Sequence, residues 1–566
     1  MAFDLGLIPV IIISVLIVVL VTLFFHHFGA FKHHWVCYSM MLLSAYIPYI
    51  MVIGILPYDI SKCRFEHSET HSKALYLVLN TLYWVSFVLT WIINPLIVSY
   101  LRYPYSLTLK RRIWLTIREN LIFWGIIVGI VIIGVIILLC SHQMTASNLI
   151  PLGISLANGY GLILLCLSLG YGFVAFPRQI WNDANPATSY LYRLQAISKE
   201  TEICSSTVAD GVALLSIFQT AQTQIKSSII RQIWNDKAPN RQTRLENALQ
   251  EVKIPSHFKQ GRSKNRKIKK FEKVKWDYIT ESRIEDFFEL MDDTIQNIEA
   301  TTNYVEDAAQ KAYRKLQQYN SSWSSTVVIA KRASVFFIIA WNLICIWGEI
   351  ALMFNNQFSI FYILAEAKIP TILNIVFISM PILSYLMFVG TWSLRHVRLG
   401  SFFRFIASNT NANTLNYFSI ILCRLGPTIG FHYMQQIGAY NSEFQKVMGV
   451  MDVVVFVGTK WNIYSPILMF IVIICTCFNL LDKLRLACGK DPLTYDQSVM
   501  DMKRLEAGQE VLAEILPEAR LLIEANLTYM VIWNNTSIFK KNNKSNISEN
   551  LLSSDQAAPY MRAGDL

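Results

Sequence analysis

The sequence contains a long interval without a formal charge. Residues 120–177 include no Asp, Glu, Lys or Arg. Ordinary soluble domains are about 25% charged, whereas this 566-residue chain is 16% charged and 53% hydrophobic, with a mean hydropathy of +0.37. A helix that crosses a bilayer needs about 20 apolar residues. The interval is therefore too long for one span, and it predicts two consecutive membrane helices.

Apolar runs of similar length occur along most of the chain. The first begins at residue 6 without preceding basic residues or a clear cleavage site, so we expect a retained span rather than a signal peptide. The pattern predicts an all-α fold, a polytopic membrane bundle of about nine spans. Five spans fall in residues 1–175 and four in residues 333–482. The runs cover 6–28, 35–57, 74–101, 120–140, 149–175, 333–354, 369–392, 415–439 and 462–481.

Lys and Arg are unevenly divided between the two sets of short loops. If the N-terminus lies outside, the inside loops carry nine basic residues and the outside loops carry six. Because cytosolic loops are enriched in Lys and Arg, we expect the N-terminus outside and the C-terminus in the cytosol. The tail, 483–566, should form a helix over 496–526, broken at Pro517, and become disordered from Asn534. We expect the membrane to be the plasma membrane or an endolysosomal membrane.

A cytosolic helical domain is predicted over 176–332. Apolar residues recur with alternating steps of four and three over 190–225 and again over 284–316. This spacing is typical of coiled coils, although small and polar residues weaken the first stretch. The pattern predicts two antiparallel coiled-coil arms that are joined by a long loop and bind cytosolic protein partners. Ordinary packed helices of a bundle are the alternative.

The connector between the arms is strongly basic. Ten Lys or Arg residues and one acid, Glu272, lie between Lys253 and Lys275. The connector is either a solvated, mobile loop or a contact with anionic lipid headgroups, at about 1 kcal/mol for each basic residue near the surface. No nucleic-acid-binding motif accompanies it, so we expect no nucleic acid partner. The candidate lipid contacts are Lys264, Arg266, Lys267, Lys269 and Lys270.

One basic residue, Arg424, falls in the middle of predicted span eight. A charge at this depth costs at least about 2.5–3.5 kcal/mol, so it should face the bundle interior and have a partner. Gly426, Pro427 and Gly430 follow and predict a break in the helix. Transporters build substrate sites from broken helices beside ionisable groups. A structural Arg that neutralises freed carbonyls or an acid is equally compatible with the pattern.

Three more polar residues complete the candidate intramembrane site. Glu349 in span six and Asp452 in the last outside loop are candidate partners of Arg424, and Asn94-Pro95 predicts a kink in span three. The sequence contains no nucleotide-binding, metalloprotease, hydrolase or kinase motif. Its Cys and His residues match no zinc pattern. We expect no catalytic residues, no metal and no cofactor.

Several short motifs lie in or beside the predicted spans: Leu56-Pro57-Tyr58-Asp59, Trp91 to Pro95, Gly170-Tyr171-Gly172, Cys423-Arg424-Leu425, and Trp461 to Pro466. With nine spans and a long inside segment after the fifth, they resemble the limb-region-1-like (LMBR1-type) family of multi-pass membrane proteins. Within that family, the chain is most similar to the domain-containing-2 subgroup. The resemblance implies an integral membrane receptor or a regulator of signalling or trafficking, tied to G-protein-coupled receptor signalling, and it does not imply catalysis.

These features leave two functional hypotheses. In the first, the chain is a receptor-like protein or scaffold that is anchored in the lipid bilayer and binds partners through its helical arms. In the second, it is a transporter or lipid-handling protein that uses a site at the break in span eight. Normal function after deletion of 190–316 would exclude the first hypothesis. Unchanged flux in an Arg424→Leu variant would exclude a role for that residue in the second.

Overall fold

A computed structural model describes residues 6–29, 35–65, 69–103, 109–140, 149–259, 263, 265–321, 324–367, 370–396, 405–406, 410–448, 459–487, 501–525 and 528–535. The chain divides into two compact units. The first comprises Met1–Ile180 and Ala333–Thr494, and the second comprises Trp181–Arg332 and Tyr495–Leu566. The described residues are mostly helical, and their only β-bridge is an isolated parallel one between Gly29 and Thr410.

The chain passes twice through each unit. The helices in the first part are α1 (Leu7–Phe28), α2 (Trp35–Tyr49), α3 (Leu56–Phe65), α4 (Glu69–Val88), α5 (Asn94–Arg102), α6 (Leu109–Cys140) and α7 (Leu149–Ala184), followed by α8 (Pro186–Gln224), α9 (Ser228–Glu251), α10 (Arg266–Glu272) and α11 (Glu281–Asn320). The remaining helices are α12 (Ser324–Phe354), α13 (Ile360–Glu366), α14 (Thr371–Leu373), α15 (Met380–His396), α16 (Ala412–Gln436), α17 (Glu443–Met448), α18 (Thr459–Cys477), α19 (Leu480–Ala487), α20 (Met502–Ile515), α21 (Pro517–Glu524) and α22 (Tyr529–Asn535).

Eight described helices are long and apolar enough to cross a membrane. Seven of them coincide with predicted spans one to seven. The eighth is α8, which belongs to the second unit and packs there against α11. Predicted spans eight and nine correspond to α16 and α18, and part of α18 is a shorter apolar helix. The structure confirms a polytopic α-helical membrane protein, and the count of nine spans stays a prediction.

The surfaces of α1 and α6 are strongly apolar. Large side chains such as Ile12, Ile126 and Ile133 are more than half exposed. A methyl group added to Gly129 of α6 would meet no atom within 4 Å. Continuous apolar exposure of this kind is unfavourable in water and is expected where a helix faces lipid.

Proline positions coincide with the irregular turns of the first unit. The π-helical segments among its described residues cover Ile50–Ile55, Leu89–Ile93 and Asn374–Ser379. Each ends two residues before a proline, namely Pro57, Pro95 and Pro381. Proline lacks an N–H donor and its ring crowds the carbonyl four residues earlier, so the wider turn relieves the crowding. The irregularity predicted at Asn94-Pro95 is thus a π-helical turn.

A proline inside a regular helix also leaves an acceptor to be satisfied. Pro177 lies within α7, so the Phe173 carbonyl cannot receive the usual backbone hydrogen bond. The Asn342 side chain of α12 donates to this carbonyl at 2.7 Å. Side chains of neighbouring helices commonly replace the lost backbone donor in membrane proteins.

The second unit is built around α8 and α11, which are 39 and 40 residues long. They are antiparallel, because Thr207 faces Thr301 at 2.9 Å while Lys315, further along α11, donates to the Asp183 carbonyl at 3.1 Å, before α8 begins. In α11 the predicted spacing over 284–316 selects ten residues, of which nine are buried and Thr302 is half-buried. The nine are Ile284, Phe288, Met291, Ile295, Ile298, Val305, Ala309, Ala312 and Leu316. On the first stretch, the predicted positions are buried from Tyr190 to Gly211 and again at Phe218 and Ile225. Leu215 is half-buried and Gln222 is exposed, and their neighbours Leu214 and Ala221 are buried instead.

The predicted long loop between the arms is wrong, because this segment contains α9. Trp234 of α9 is buried against Phe218, Phe287 and Phe288, with ring centroids 4.8–6.1 Å apart. Further along α9, Arg241 donates to the Asp292 carboxylate of α11 at 3.0 and 3.1 Å. The arms are therefore part of a bundle and not an isolated hairpin.

The described part of the basic connector is packed against α8, which contradicts the expectation of a mobile loop. Ser263 donates to the Asp210 carboxylate of α8 at 2.6 Å, and Ile268 of α10 is fully buried.

The helix predicted over 496–526 is present as α20 and α21, divided just before Pro517. α20 crosses α8 closely, since a methyl group at Gly508 would lie 2.1 Å from the Leu194 carbonyl oxygen.

Candidate functional site

The helix α16 is continuous from Ala412 to Gln436, so the predicted break at Gly426, Pro427 and Gly430 is wrong. All residues from Leu422 to Gln436 are buried. A helix breaks at a glycine or proline when the freed backbone groups can form hydrogen bonds with other partners, such as water. Here packed helices surround α16 on every side, so the helical hydrogen bonds remain the favoured ones.

Two prolines on crossing helices free two carbonyls, and side chains satisfy both. Pro427 leaves the Cys423 carbonyl without a backbone donor, and Ser86 of α4 donates to it at 2.9 Å. Pro48 of α2 likewise leaves the Ser44 carbonyl without a backbone donor, and the Cys423 thiol donates to this carbonyl at 3.0 Å. These bonds tie α2, α4 and α16 together at the level of Arg424.

The two glycines of α16 permit close helix packing. A methyl group at Gly426 would lie 2.4 Å from Cβ of Pro48, and one at Gly430 would lie 3.0 Å from Leu56 and Phe444. Small residues four positions apart allow membrane helices to approach closely. Gly426 and Gly430 therefore serve packing and do not free backbone groups for a ligand.

Arg424 is 2% exposed and lies against an aromatic wall. Its guanidinium carbon is 5.9 Å from the ring centre of Tyr83, 5.2 Å from that of Phe87 and 5.9 Å from that of Trp91. Cations attract aromatic faces at distances up to about 6 Å, more strongly where water is excluded. The Nε atom also donates to the Thr90 hydroxyl at 3.3 Å. The prediction that Arg424 faces the interior is confirmed for its burial, but these partners are uncharged.

The predicted acidic partner that the structure describes, Glu349, is not paired with Arg424. Glu349 accepts from Gln436 at 2.7 Å and contacts His432 at 2.6 Å. His432 lies eight residues beyond Arg424, about 12 Å along the helix at 1.5 Å per residue. Asp452 lies outside the described residues. The structure therefore places Glu349, which is on α12, in a second buried polar cluster with His432 and Gln436 of α16.

Asn94 links α2 and α16 below the aromatic wall. Its side-chain amide donates to the Ser44 hydroxyl at 3.0 Å, and its backbone carbonyl accepts from the side chain of Asn416 on α16 at 2.9 Å. All three residues are buried. Asn94 belongs to the same polar layer as the proline-freed carbonyls, where its hydrogen bonds hold helices together.

Three donors near the aromatic wall have no hydrogen-bond partner among the described residues. They are Nη2 of Arg424, Nδ2 of Asn158 and Nε1 of Trp91, and all three atoms are buried. Tyr83 contacts two of these residues: its ring centre is 5.9 Å from the guanidinium carbon of Arg424, and its hydroxyl donates to Oδ1 of Asn158 at 3.2 Å. Buried donors nearly always have an acceptor, so three unsatisfied donors around one aromatic group require an explanation.

The sequence contained signals for part of this site. Tyr83, Phe87 and Trp91 are spaced by four, so one face of span three was readable as an aromatic stripe. His432 and Gln436 have the same spacing on span eight. Asn158 had no comparable signal, because one amide near the start of an apolar run does not indicate its neighbours.

The candidate lipid contacts lie on α10, in the second unit. Arg266, Lys267, Lys269 and Lys270 are exposed, while Ile268 between them is buried. Lys264 lies outside the described residues. The four described residues thus form one solvated basic face. Over the described chain, no group of three or more His, Cys, Asp or Glu residues could hold a metal ion.

These observations define a polytopic helical membrane protein with a buried cation in its first unit and a second unit that is also helical. The family model described as LMBR1-like membrane protein matches residues 6–481, and the chain belongs to this family. The resemblance noted in the sequence is thereby confirmed.

The relatives include members of the domain-containing-2 subgroup. LMBR1 domain-containing protein 2 homolog A of Dictyostelium discoideum is 25% identical over 75% of this chain and 60% of its own length. The proteins named G-protein coupled receptor-associated protein LMBRD2 in Gallus gallus and Homo sapiens are 23% and 24% identical, over 80% of this chain and 76% of theirs. The chain spans about three fifths of the Dictyostelium relatives' length. No solved structure matches the chain.

Proposed function

We propose that the protein is a non-enzymatic membrane scaffold in receptor signalling, and that its second unit binds cytosolic protein partners. The observation that supports this most directly is the self-contained core of that unit. It combines α8 to α11 with α20 to α22, which come from separate parts of the chain. The names of the chicken and human relatives, which describe association with G-protein-coupled receptors, favour the same role.

The orientation follows from the loop charges. The N-terminus lies outside and the second unit lies in the cytosol, because the inside loops carry nine basic residues against six outside. The membrane is the plasma membrane or an endolysosomal membrane, where receptors signal or are sorted.

The docking surface in this proposal is the exposed side of α10 and the turn that follows it. Arg266, Lys269 and Lys270 are exposed, and Tyr278 is 86% exposed. Tyr and Arg are frequent at protein interfaces, where an aromatic ring contributes area at a low entropy cost. A partner for this surface would carry acidic groups around an apolar pocket.

The test is charge reversal at three residues, Arg266→Glu, Lys269→Glu and Lys270→Glu, in the full-length protein. Lys267 stays unchanged because it interacts with Glu289 and Asp293. The matched control reverses three exposed basic residues elsewhere in the unit, Arg231, Lys503 and Arg314. We expect the first variant to lose co-purification with a co-expressed G-protein-coupled receptor and to change the second-messenger response of that receptor. We expect the control variant to do neither.

A second measurement distinguishes protein docking from lipid binding. Both variants are tested for binding to vesicles with and without anionic phosphatidylserine. If the α10 variant loses vesicle binding but keeps the receptor, the surface serves lipid headgroups and the docking proposal fails. Deletion of 190–316 is a weaker test, because it would expose Leu505, Val511 and Leu512 of α20, which are buried in the shared core.

A further inference from the structure

The geometry points to a binding site in the first unit for the oxyanion headgroup of an amphipathic lipid, formed by Arg424, Asn158 and Trp91. This inference concerns the membrane bundle and does not depend on the proposed function of the second unit. Its basis is the group of three buried donors without acceptors among the described residues.

The donors come from three helices that pack around one position. Arg424 is on α16, Asn158 is on α7, and Trp91 is in the π-helical turn after α4. The helices α7 and α16 are in close contact here, since a methyl group at Gly161 would lie 3.1 Å from the Arg424 carbonyl oxygen. Trp91 is held over the guanidinium by the ring contact at 5.9 Å.

The Tyr83 hydroxyl fixes which atoms of Asn158 are free. It donates to Oδ1 of Asn158 at 3.2 Å, so the side-chain oxygen of Asn158 is engaged. The ring of Tyr83 also faces Arg424, with its centre 5.9 Å from the guanidinium carbon. Nδ2 of Asn158 is left as a donor, next to a guanidinium whose Nη2 is also free.

The charge of Arg424 specifies an anion. A guanidinium stays protonated in proteins, and a buried charge requires a partner to offset its desolvation. Glu349 is engaged by His432 and Gln436. The described neighbours of Arg424 are hydroxyls and aromatic rings, which lower the cost of burial without neutralising the charge. Carboxylates and phosphates are the oxyanions that guanidinium groups bind best.

The surroundings specify an apolar tail on that anion. Trp91 lies 6.0 Å from the ring of Trp124 on α6 and 6.0 Å from the ring of Tyr160 on α7. Tyr160 is 39% exposed, and large apolar side chains such as Ile126 and Ile130 are exposed along α6. The aromatic side chains thus continue from the buried donors to the lipid-facing surface, so an acyl chain could follow them while its headgroup meets the donors.

The test uses purified full-length protein in nanodiscs and three photoactivatable lipid probes: a fatty acid, a phosphatidic acid and an uncharged diacylglycerol. We expect one or both anionic probes to label peptides of α4, α7 or α16 at least about tenfold more than the neutral probe, since a hydrogen bond to a charged group changes affinity by about that factor or more. The fatty acid and phosphatidic acid probes distinguish a carboxylate from a phosphate headgroup.

Two substitutions address the donors directly. Asn158→Asp places a carboxylate beside Arg424 and keeps the acceptor for Tyr83, so anionic labelling should fall about tenfold while the bundle stays folded. Trp91→Phe removes one donor and keeps a ring, and should reduce labelling a few-fold. Trp84→Phe is its matched control, because Trp84 is on α4 and is 41% exposed.

Three outcomes would overturn the inference. One is equal labelling by the neutral probe, and another is absence of labelling at these helices by both anionic probes. The third is equal labelling of the Trp91→Phe and Trp84→Phe variants, which would mean that water alone satisfies the donors. The tryptophan pair decides the question even if Asn158→Asp fails to fold.

Discussion

The helix pair α8–α11 and the helix pair α2–α16 are held together in different ways. Along α11, apolar seam residues such as Ile284, Met291 and Ile295 are completely buried, while polar residues cover the opposite face. Between α2 and α16, the close contacts are Gly426 against Pro48 and the Cys423 thiol against the Ser44 carbonyl.

The difference follows from the solvent that each pair displaces. In water, burial of apolar area drives association, so the buried face can be read from the spacing of apolar residues. In a bilayer both faces of a helix are apolar and lipid offers no such driving force, so close packing and buried hydrogen bonds decide which faces meet. Four predictions test this comparison, from the largest expected effect to the smallest.

A large-to-small change in the α11 seam should have the greatest effect. Ile295→Ala removes a fully buried side chain and should reduce the stability of the second unit by about 2–5 kcal/mol. Hydrogen exchange at α11 amides in the full-length protein measures it, since a two-unit chain has no single unfolding free energy. Gln296→Ala, at an exposed neighbour, should change stability by less than about 0.5 kcal/mol. Equal effects would mean that the seam is not the main source of stability.

A single methyl group should distinguish packed from lipid-facing glycines in the first unit. Gly426→Ala forces Cβ to within 2.4 Å of Pro48, whose ring cannot move aside, and should cost about 1–3 kcal/mol. Gly129→Ala on α6 meets no atom within 4 Å and should be neutral or stabilise the helix by up to about 1 kcal/mol. Thermal denaturation in detergent, followed by size-exclusion chromatography, compares the two. A neutral Gly426→Ala variant would contradict the close crossing of α2 and α16.

Removal of one hydroxyl should show what a proline-freed carbonyl requires. Ser86→Ala leaves the Cys423 carbonyl without its donor and should cost about 0.6–1.7 kcal/mol, the usual range for interhelical hydrogen bonds in membranes. Ser39→Ala is the matched control, because the Ser39 hydroxyl is exposed and bonds within its own helix to the Trp35 carbonyl. The same thermal assay applies, and a larger loss for Ser39→Ala would refute the interpretation.

The smallest effect concerns an acidic group on the second unit. Desolvation and then the charges of Asp293 and Asp286 raise the pKa of Glu289 above its ordinary value of 4.5. A raised carboxyl pKa means that the folded state binds the proton more tightly than the unfolded state. Protonation of Glu289 therefore stabilises the folded state fully below about pH 4.5, and this stabilisation is lost as the pH rises through the folded-state pKa.

Glu289→Gln removes this titration and should stabilise α11 at neutral pH by less than about 0.5 kcal/mol, with no gain in acid. Hydrogen exchange at pH 4 and pH 7 measures the difference. A variant with the same pH dependence as the wild type would show that Glu289 does not contribute.

The sequence was informative where a local pattern has one physical meaning. The apolar runs predicted a polytopic helical protein, because no soluble domain can bury so much apolar surface. The heptad of α11 predicted its buried face correctly at nearly every position. The burial of Arg424 was also predictable, since a cation in a span cannot face lipid.

Tertiary structure decided the features that depend on distant parts of the chain. The Thr90 hydroxyl that meets Arg424 lies 334 residues away in sequence, and the Ser86 donor that satisfies the Cys423 carbonyl lies 337 residues away. No local pattern reveals such partners, so the sequence predicted a broken α16 where packed neighbours keep it continuous.

The helix α9, which is 24 residues long, was missed for a related reason. Its helical face carries Trp234, Arg241 and Leu245, which are buried only because α8 and α11 lie on either side. The sequence by itself determined which segments are helical in the membrane and that Arg424 must be buried. Only the tertiary structure decided what surrounds that charge, because hydrogen bonds and ring contacts depend on positions in space and not on spacing along the chain.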